Sequence, residues 1–230
     1  MKMTLSKEEL SVYTKKQLDF YIPDGYVIDG KCWEEAIATA LQRCDDCFKY
    51  ILVPQYRVAE TGESLFSHLH RDQYATFLYF LGNTVWHHYH EKWLCDKLLN
   101  LQSILHSFFL SYKCEMPNVF VLAHPVGSVI GNAKYSDGLY ISQNVTINTH
   151  TDAAGNPDLY IGKGVLLEAG ATIIGNKPIG DRVSIGTNVM IYNEKIDSDH
   201  TCVSERGKVI IRPRKRERCA AEGVFDISLY

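Results

Sequence analysis

Along residues 1 to 116 the apolar positions recur every three or four residues, the spacing that lines one face of an α-helix. Ser6-Lys7-Glu8-Glu9 reads as a capping box, because the serine oxygen is free to accept the amide three residues on. From Lys31 to Tyr50, Trp33, Ala36, Ala40, Leu41 and Phe48 keep a second helix apolar on one side. A long helical stretch opens near Asp72, with Tyr74, Phe77, Leu78, Leu81 and Val85 on its stripe. Leu94, Leu98, Leu101, Leu105 and Phe108 mark a further helix. Met116-Pro117 ends the pattern, since proline has no amide donor and biases its predecessor toward extended geometry.

Beyond Pro117 the period changes. Ile161, Leu167, Ile173, Ile179, Ile185 and Ile191 are separated by six residues each, and Val129, Tyr135, Ile141 and Ile147 hold the same step earlier. Small or β-branched residues (Val165, Ala171, Val183, Val189) follow four places on, and Gly162, Gly180 and Gly186 follow directly. A period of six fits neither a helix nor a simple strand, and a β-sandwich would show alternation at two. It fits a parallel β-helix, each hexad giving one short strand and one turn. From Ile147 to Ile161 is fourteen residues, two steps and two residues more, so a loop bulges out between Asn148 and Asp158. The expected organisation is a helical domain over 1–116, a β-helix over 117–205 and a basic tail over 206–230.

The 230 residues are 46% apolar and 22% charged, a globular balance, and 24 Lys+Arg against 27 Asp+Glu leave no cationic field for nucleic acid. Charge in Met1-Lys2-Met3-Thr4-Leu5-Ser6-Lys7 occupies the place of a signal peptide's apolar core, and no apolar run is long enough to span a bilayer. Seven scattered cysteines fit reduced thiols, so the expected location is the cytoplasm. His87-His88-Tyr89-His90 and Cys44-Asp45-Asp46-Cys47 lack a second ligand pair at metal-site spacing, and no metal is expected there.

His124-Pro125-Val126-Gly127-Ser128-Val129-Ile130-Gly131 at the head of the hexads is similar to the His-x-x-Gly-x-Val-x-Gly segment of the hexapeptide-repeat acyltransferases. With the helical first half, and with Asn144-Val145-Thr146-Ile147 and Gly164 to Asn176, the chain resembles the serine O-acetyltransferase group over about residues 70 to 195. That resemblance implies an α+β fold, an α-helical N-terminal half followed by a left-handed parallel β-helix of hexapeptide repeats. It also implies direct transfer of acetyl from acetyl-CoA to a hydroxyl, with His124 as general base. Imidazole titrates near neutral pH and suits removal of a hydroxyl proton.

Such a base needs an acidic partner to hold its tautomer. The family's aspartate, one coil earlier, falls here on Phe109, which leaves Glu115 as partner or as a solvated carboxylate. Leu69-His70-Arg71-Asp72-Gln73-Tyr74 resembles the family's acceptor-side Asp-x-Tyr, so Asp72 and His70 are expected to bind the acceptor, a helix N-cap being the other role for Asp72. His150, Asn156 and Asp158, in and beside the bulged loop, are acceptor candidates reaching a neighbouring subunit's site. Ala123 stands where the family carries an aspartate, and the family's second histidine aligns near Asn156 or Asp158. Variants with this pattern resemble proteins of surface-polysaccharide loci, so the acceptor is L-serine or a sugar hydroxyl.

By position Ala169, Gly170 and Thr187 match the family's acetyl-CoA groove, with Lys163, Lys177 and the run Arg212 to Arg218 able to meet phosphates. The resemblance further implies a homotrimer or a dimer of trimers. The ending Ser228-Leu229-Tyr230 lacks the isoleucine by which the family docks cysteine synthase, so no such complex is expected. A γ-type carbonic anhydrase would need three histidines on adjacent coils, and His124, His150 and His200 are not so spaced. A non-catalytic trimeric β-helix scaffold is the remaining alternative.

Overall fold

A computed structural model describes residues 1–226 and 228. Four helices come first: α1 (Lys7–Tyr21), α2 (Gly30–Phe48), α3 (Arg71–Tyr89) and α4 (Lys92–His106). The expected capping box forms at α1, where Ser6 Oγ accepts the Glu9 amide at 3.2 Å and Glu9 Oε2 accepts the Ser6 amide at 2.8 Å. In α3 every residue from Asp72 to Val85 is buried, because α2, α4 and the β-helix all pack on it. A helix buried on all sides must satisfy its polar groups internally. Asn83 accordingly accepts from Arg43 Nη1 and donates to the Tyr112 carbonyl, both at 2.8 Å. Ser107, in the left-handed region at φ 56°, ends α4.

The chain enters the β-helix directly afterwards, at Phe109–Leu110, ahead of the expected boundary at residue 116. That strand pairs in parallel with Val129–Ile130, so the segment before Pro117 already belongs to the first coil. Parallel strands build three faces. The first stacks Phe120–Leu122, Leu139–Ile141, Leu166–Leu167, Ser184–Ile185 and His200–Glu205. The second stacks Phe109–Leu110, Val129–Ile130, Thr146–Ile147, Thr172–Ile174 and Met190–Tyr192. The third pairs Lys134–Tyr135 with Tyr160–Ile161 and continues through bridges at Ile179 and Ile196. The hexad residues from Ile161 to Ile191 all point inward and are buried, joined by Val165, Ala171, Val183 and Val189. Helical half and β-helix share one continuous apolar core.

The expected basic tail is structured. Lys208–Pro213 folds back antiparallel on His200–Glu205 through the two-residue turn Arg206-Gly207, both at positive φ as a type I′ hairpin requires. The chain then crosses back to the helical half as a strap. Phe225, fully buried, bridges Ile51, while the Leu52 amide donates to the Val224 carbonyl at 2.7 Å. Leu229 and Tyr230, on which the expectation about cysteine synthase rests, lie outside the described residues.

Candidate active site

His124 sits on the corner between the first and second faces, directly after the strand Phe120–Leu122. The turn is tight: the Val126 amide donates to the His124 carbonyl at 2.7 Å and the Gly127 amide to Ser107 at 2.8 Å. His124 itself has φ 51°, a conformation that costs a non-glycine residue energy and recurs where a side chain must be aimed. Gly127, at φ 74°, cannot be replaced freely, since a Cβ there would lie 2.2 Å from Asn144 Oδ1.

Asp72 comes from the first turn of α3 and meets this corner. Its Oδ1 accepts the His124 backbone amide at 3.1 Å, and its Oδ2 lies 3.3 Å from His124 Nδ1. The carboxylate is 7% exposed and the imidazole 80% exposed, so the ring is held from within and its Nε2 edge faces outward. A carboxylate on Nδ1 favours the proton on that nitrogen and leaves the Nε2 lone pair free. Asp72 makes no N-capping bond; His70 occupies the N-cap position of α3.

His70 and Tyr56 complete the inner wall, their rings edge to face at 5.6 Å. His70 Nδ1 and Tyr56 Oη are both buried without a hydrogen-bond partner among the described residues. Burial holds the His70 imidazole toward its neutral form, with Asp72 opposing and His124 adding to the effect. Burial, then the Asp72 charge, pushes the Tyr56 phenol well above its usual range, so it stays a neutral hydroxyl. Close by, burial and the Arg71 charge press the His106 imidazole down to about 4.

Glu115 is not on His124. Its carboxylate bonds His87 Nε2 at 2.6 Å on the exposed end of α3, so the acid in contact with His124 is Asp72 and not the nearer one in sequence. The loop residues also stand apart. His150 Nδ1 meets Asp158 Oδ1 at 2.8 Å, Asp158 Oδ2 accepts Asn176 Nδ2 at 3.1 Å, and Asn156 donates its amide to Asp152 at 2.9 Å. These groups occupy the corner after the second face, whereas His124 occupies the corner before it. Within one chain His124, Asp72 and His70 come together, and His150, Asn156 and Asp158 do not join them.

Below His124 the same corner continues as a column of turns. The Gly170 amide donates to Gln143 at 3.0 Å and the Asn188 amide to Ala169 at 2.9 Å, so Ala169, Gly170 and Thr187 line one edge. A Cβ on Gly170, at φ 73°, would meet Asn188 Oδ1 at 2.2 Å, which keeps this edge shallow. Lys163 and Lys177 lie on the other two corners, away from the column. Among the described residues no group of three His, Cys, Asp or Glu side chains could hold a metal ion, and no helix is long and apolar enough to cross a membrane.

No family model matches the chain. A serine acetyltransferase of Staphylococcus xylosus is 29% identical over 143 residues, 58% of this chain and 66% of that protein. One of Synechococcus elongatus is 34% identical over 90 residues, 39% of this chain and 36% of that protein. The matches thus span less than two thirds of these relatives. Among solved structures, a serine acetyltransferase in complex with cysteine superposes with a TM-score of 0.68 at 20% identity, covering 99% of this chain and 86% of that one. A serine acetyltransferase in complex with CoA gives 0.59 at 19% identity, covering 89% and 84%. The chain has the fold of these solved structures, an α-helical half followed by a left-handed β-helix. The proteins it is similar to, in sequence and in fold, are serine acetyltransferases.

Proposed function

We propose that the protein is an acetyl-CoA-dependent O-acetyltransferase in which His124 is the general base and Asp72 its positioning carboxylate. The observation that carries this reading is the double contact from Asp72 to the His124 amide and ring, on a histidine whose other edge is open. Nε2 takes the proton of the acceptor hydroxyl as its oxygen attacks the thioester carbonyl. When the tetrahedral intermediate collapses, the imidazolium gives that proton to the departing sulfur, leaving an O-acetyl ester and a thiol. The column of Ala169, Gly170 and Thr187 runs away from His124 in the direction expected for the donor's arm.

L-serine is the first acceptor to test, after the named activity of the relatives. A sugar hydroxyl is the second reading, and one observation favours it: Asp72 is committed to His124, and position 123, where the resembled family carries an aspartate, is alanine. CoA release from acetyl-CoA, measured with serine and with a panel of sugars and nucleotide sugars, separates the two. His124→Ala is expected to abolish release while leaving the circular dichroism unchanged. Wild-type turnover by that variant removes His124 from the base's role.

Exposed Phe109, Val129 and Met190 stand in register with Thr146 and Thr172 on the outside of the second face. This apolar ladder supports a homotrimer closed through that face, which would bring the Asn148 to Asp158 loop to a neighbour's His124. Sedimentation at a trimer's mass supports it, and a monomer sinks it. A cytoplasmic setting fits seven cysteines that are all buried and unpaired.

A further inference from the structure

Two imidazoles stand at one corner of the molecule. His70 is the N-cap residue of α3 and precedes Asp72 by two positions, and Asp72 meets His124 with both carboxylate oxygens. The His70 side chain makes no capping bond, so it is free of the helix end. Its ring is half-buried, with the Tyr56 ring edge to face at 5.6 Å. The two ring nitrogens have different surroundings. Nδ1 is buried with no hydrogen-bond partner among the described residues, whereas Nε2 is open.

That difference decides the tautomer. A neutral imidazole carries one N–H, and a buried N–H without an acceptor is the costlier orphan, more so than a bare lone pair. Nδ1 of His70 therefore keeps the lone pair and Nε2 keeps the proton. Burial holds the ring neutral, with the Asp72 charge opposing and the His124 charge adding to the effect. His124 has the opposite arrangement, because Asp72 beside its Nδ1 places the proton there and leaves a lone pair on Nε2. One ring takes a proton at Nε2 and the other offers an N–H at Nε2. Neighbouring titratable groups driven apart in this way divide the roles of a site.

Transfer from a thioester needs both roles. As the acceptor oxygen adds to the carbonyl carbon, the π electrons move onto the carbonyl oxygen, and that charge needs a donor. The turn from Ala123 to Val129 has no amide to spare. His124 donates to Asp72, Val126 to the His124 carbonyl, Gly127 to Ser107, Ser128 to Pro125, Ala123 to Ile141 and Val129 to Val145, and Pro125 has no amide hydrogen.

We propose that His70 is a catalytic residue, whose Nε2–H hydrogen-bonds the thioester carbonyl oxygen as it becomes negative. This role rests on the acetyl-transfer reading, and it assigns His70 to the donor's carbonyl where the resemblance assigns it to the acceptor. The proton stays on His70 throughout. When the C–S bond breaks, the oxygen's electrons re-form the carbonyl, and the departing sulfur takes the proton held by His124.

Two measurements on the full chain test the role. Nitrogen-15 NMR at neutral pH should show His70 as the Nε2–H tautomer and His124 as the Nδ1–H tautomer. A proton on Nδ1 of His70, or a doubly protonated ring, overturns the proposal independently of any turnover. In kinetics, His70→Phe keeps a ring against Tyr56 and removes the donor. Its kcat is expected to fall about 10²- to 10³-fold, with KM for acetyl-CoA and for the acceptor within about threefold of the parent. His70→Gln restores an N–H donor and should recover at least about tenfold of that loss. A kcat for His70→Phe within about threefold of the parent overturns the role, as does a loss seen only in the acceptor's KM. So does a Gln variant no faster than the Phe variant, with circular dichroism unchanged in both. Absence of turnover in the parent itself overturns the acetyl-transfer reading and this role with it; parent turnover that survives His70→Phe overturns this role alone.

Discussion

Asp72 and His124, 52 positions apart, are joined twice, through the His124 amide at 3.1 Å and through Nδ1 at 3.3 Å. One contact holds the turn that carries His124 and the other meets its ring, so a single carboxylate from a buried helix serves both. Asp72→Asn keeps an oxygen for the amide and removes the charge from the ring. Turnover is expected to fall about 10²- to 10⁴-fold with the fold retained. A loss of less than tenfold, with unchanged circular dichroism, removes Asp72 from the positioning role.

Glu115→Gln separates the two candidate acids. It breaks an exposed pair with His87, so the stability change should be under about 1 kcal/mol in urea denaturation. Its turnover should stay within about twofold of the parent. A loss as large as that of Asp72→Asn would return Glu115 to the site.

Stability should fall in mild acid, and His106 gives the sign. Both of its ring nitrogens are buried without a partner among the described residues, and burial and the Arg71 charge hold its pKa at about 4 in the folded protein against 6.5. Above pH 6.5 the ring is neutral in folded and unfolded chains and adds no pH dependence. As pH falls the unfolded chain takes the proton first, so stability is lost from about 6.5 down to about 4, by on the order of 3 kcal/mol in all. His106→Phe should flatten that part of the curve in denaturation series between pH 7 and 4. An unchanged slope means another group carries it.

Two glycines at similar φ should respond differently to alanine. Gly170→Ala drives a Cβ to 2.2 Å from Asn188 Oδ1, whereas Gly155→Ala, at φ 83° in the loop, meets nothing within 4 Å. Both incur the left-handed penalty of about 1 kcal/mol, and only the first adds a clash within stacked turns, for a total of about 2–4 kcal/mol. Thermal midpoints of the two variants compare them directly. Equal shifts would mean that the column relaxes without cost.

The β-helix was legible because each coil repeats its inward residue: Ile161, Leu167, Ile173, Ile179, Ile185 and Ile191 announce the period and all are buried. His124 was legible from the segment it heads. Its partner was not, because the contact with Asp72 is made by packing α3 against the corner, and no spacing along the chain encodes that. Glu115, nine residues from His124, was the nearer choice in sequence but turns to His87. Tyr56 went unnoticed for the same reason, since a lone tyrosine after a proline turn carries no periodic signal. The basic run read as a tail because five cations in seven residues carry no apolar period. Its strand depends on pairing across Arg206-Gly207, a turn dipeptide visible in the sequence that the charge pattern overshadowed.

The bridge between Ile51 and Phe225 also has a meaning in time. A ribosome makes the helical half first, and at ~5–20 residues per second about 10 to 35 s separate the appearance of Ile51 from that of Phe225. Through that interval the segment from Tyr50 to Leu52, with which the strap will pair, stays open to water and to chaperones. The coils can stack one by one as they emerge, but the molecule locks only when the strap arrives. A nascent chain stalled before residue 225 should therefore be cut by protease near Tyr50 to Val53, and the completed protein should resist.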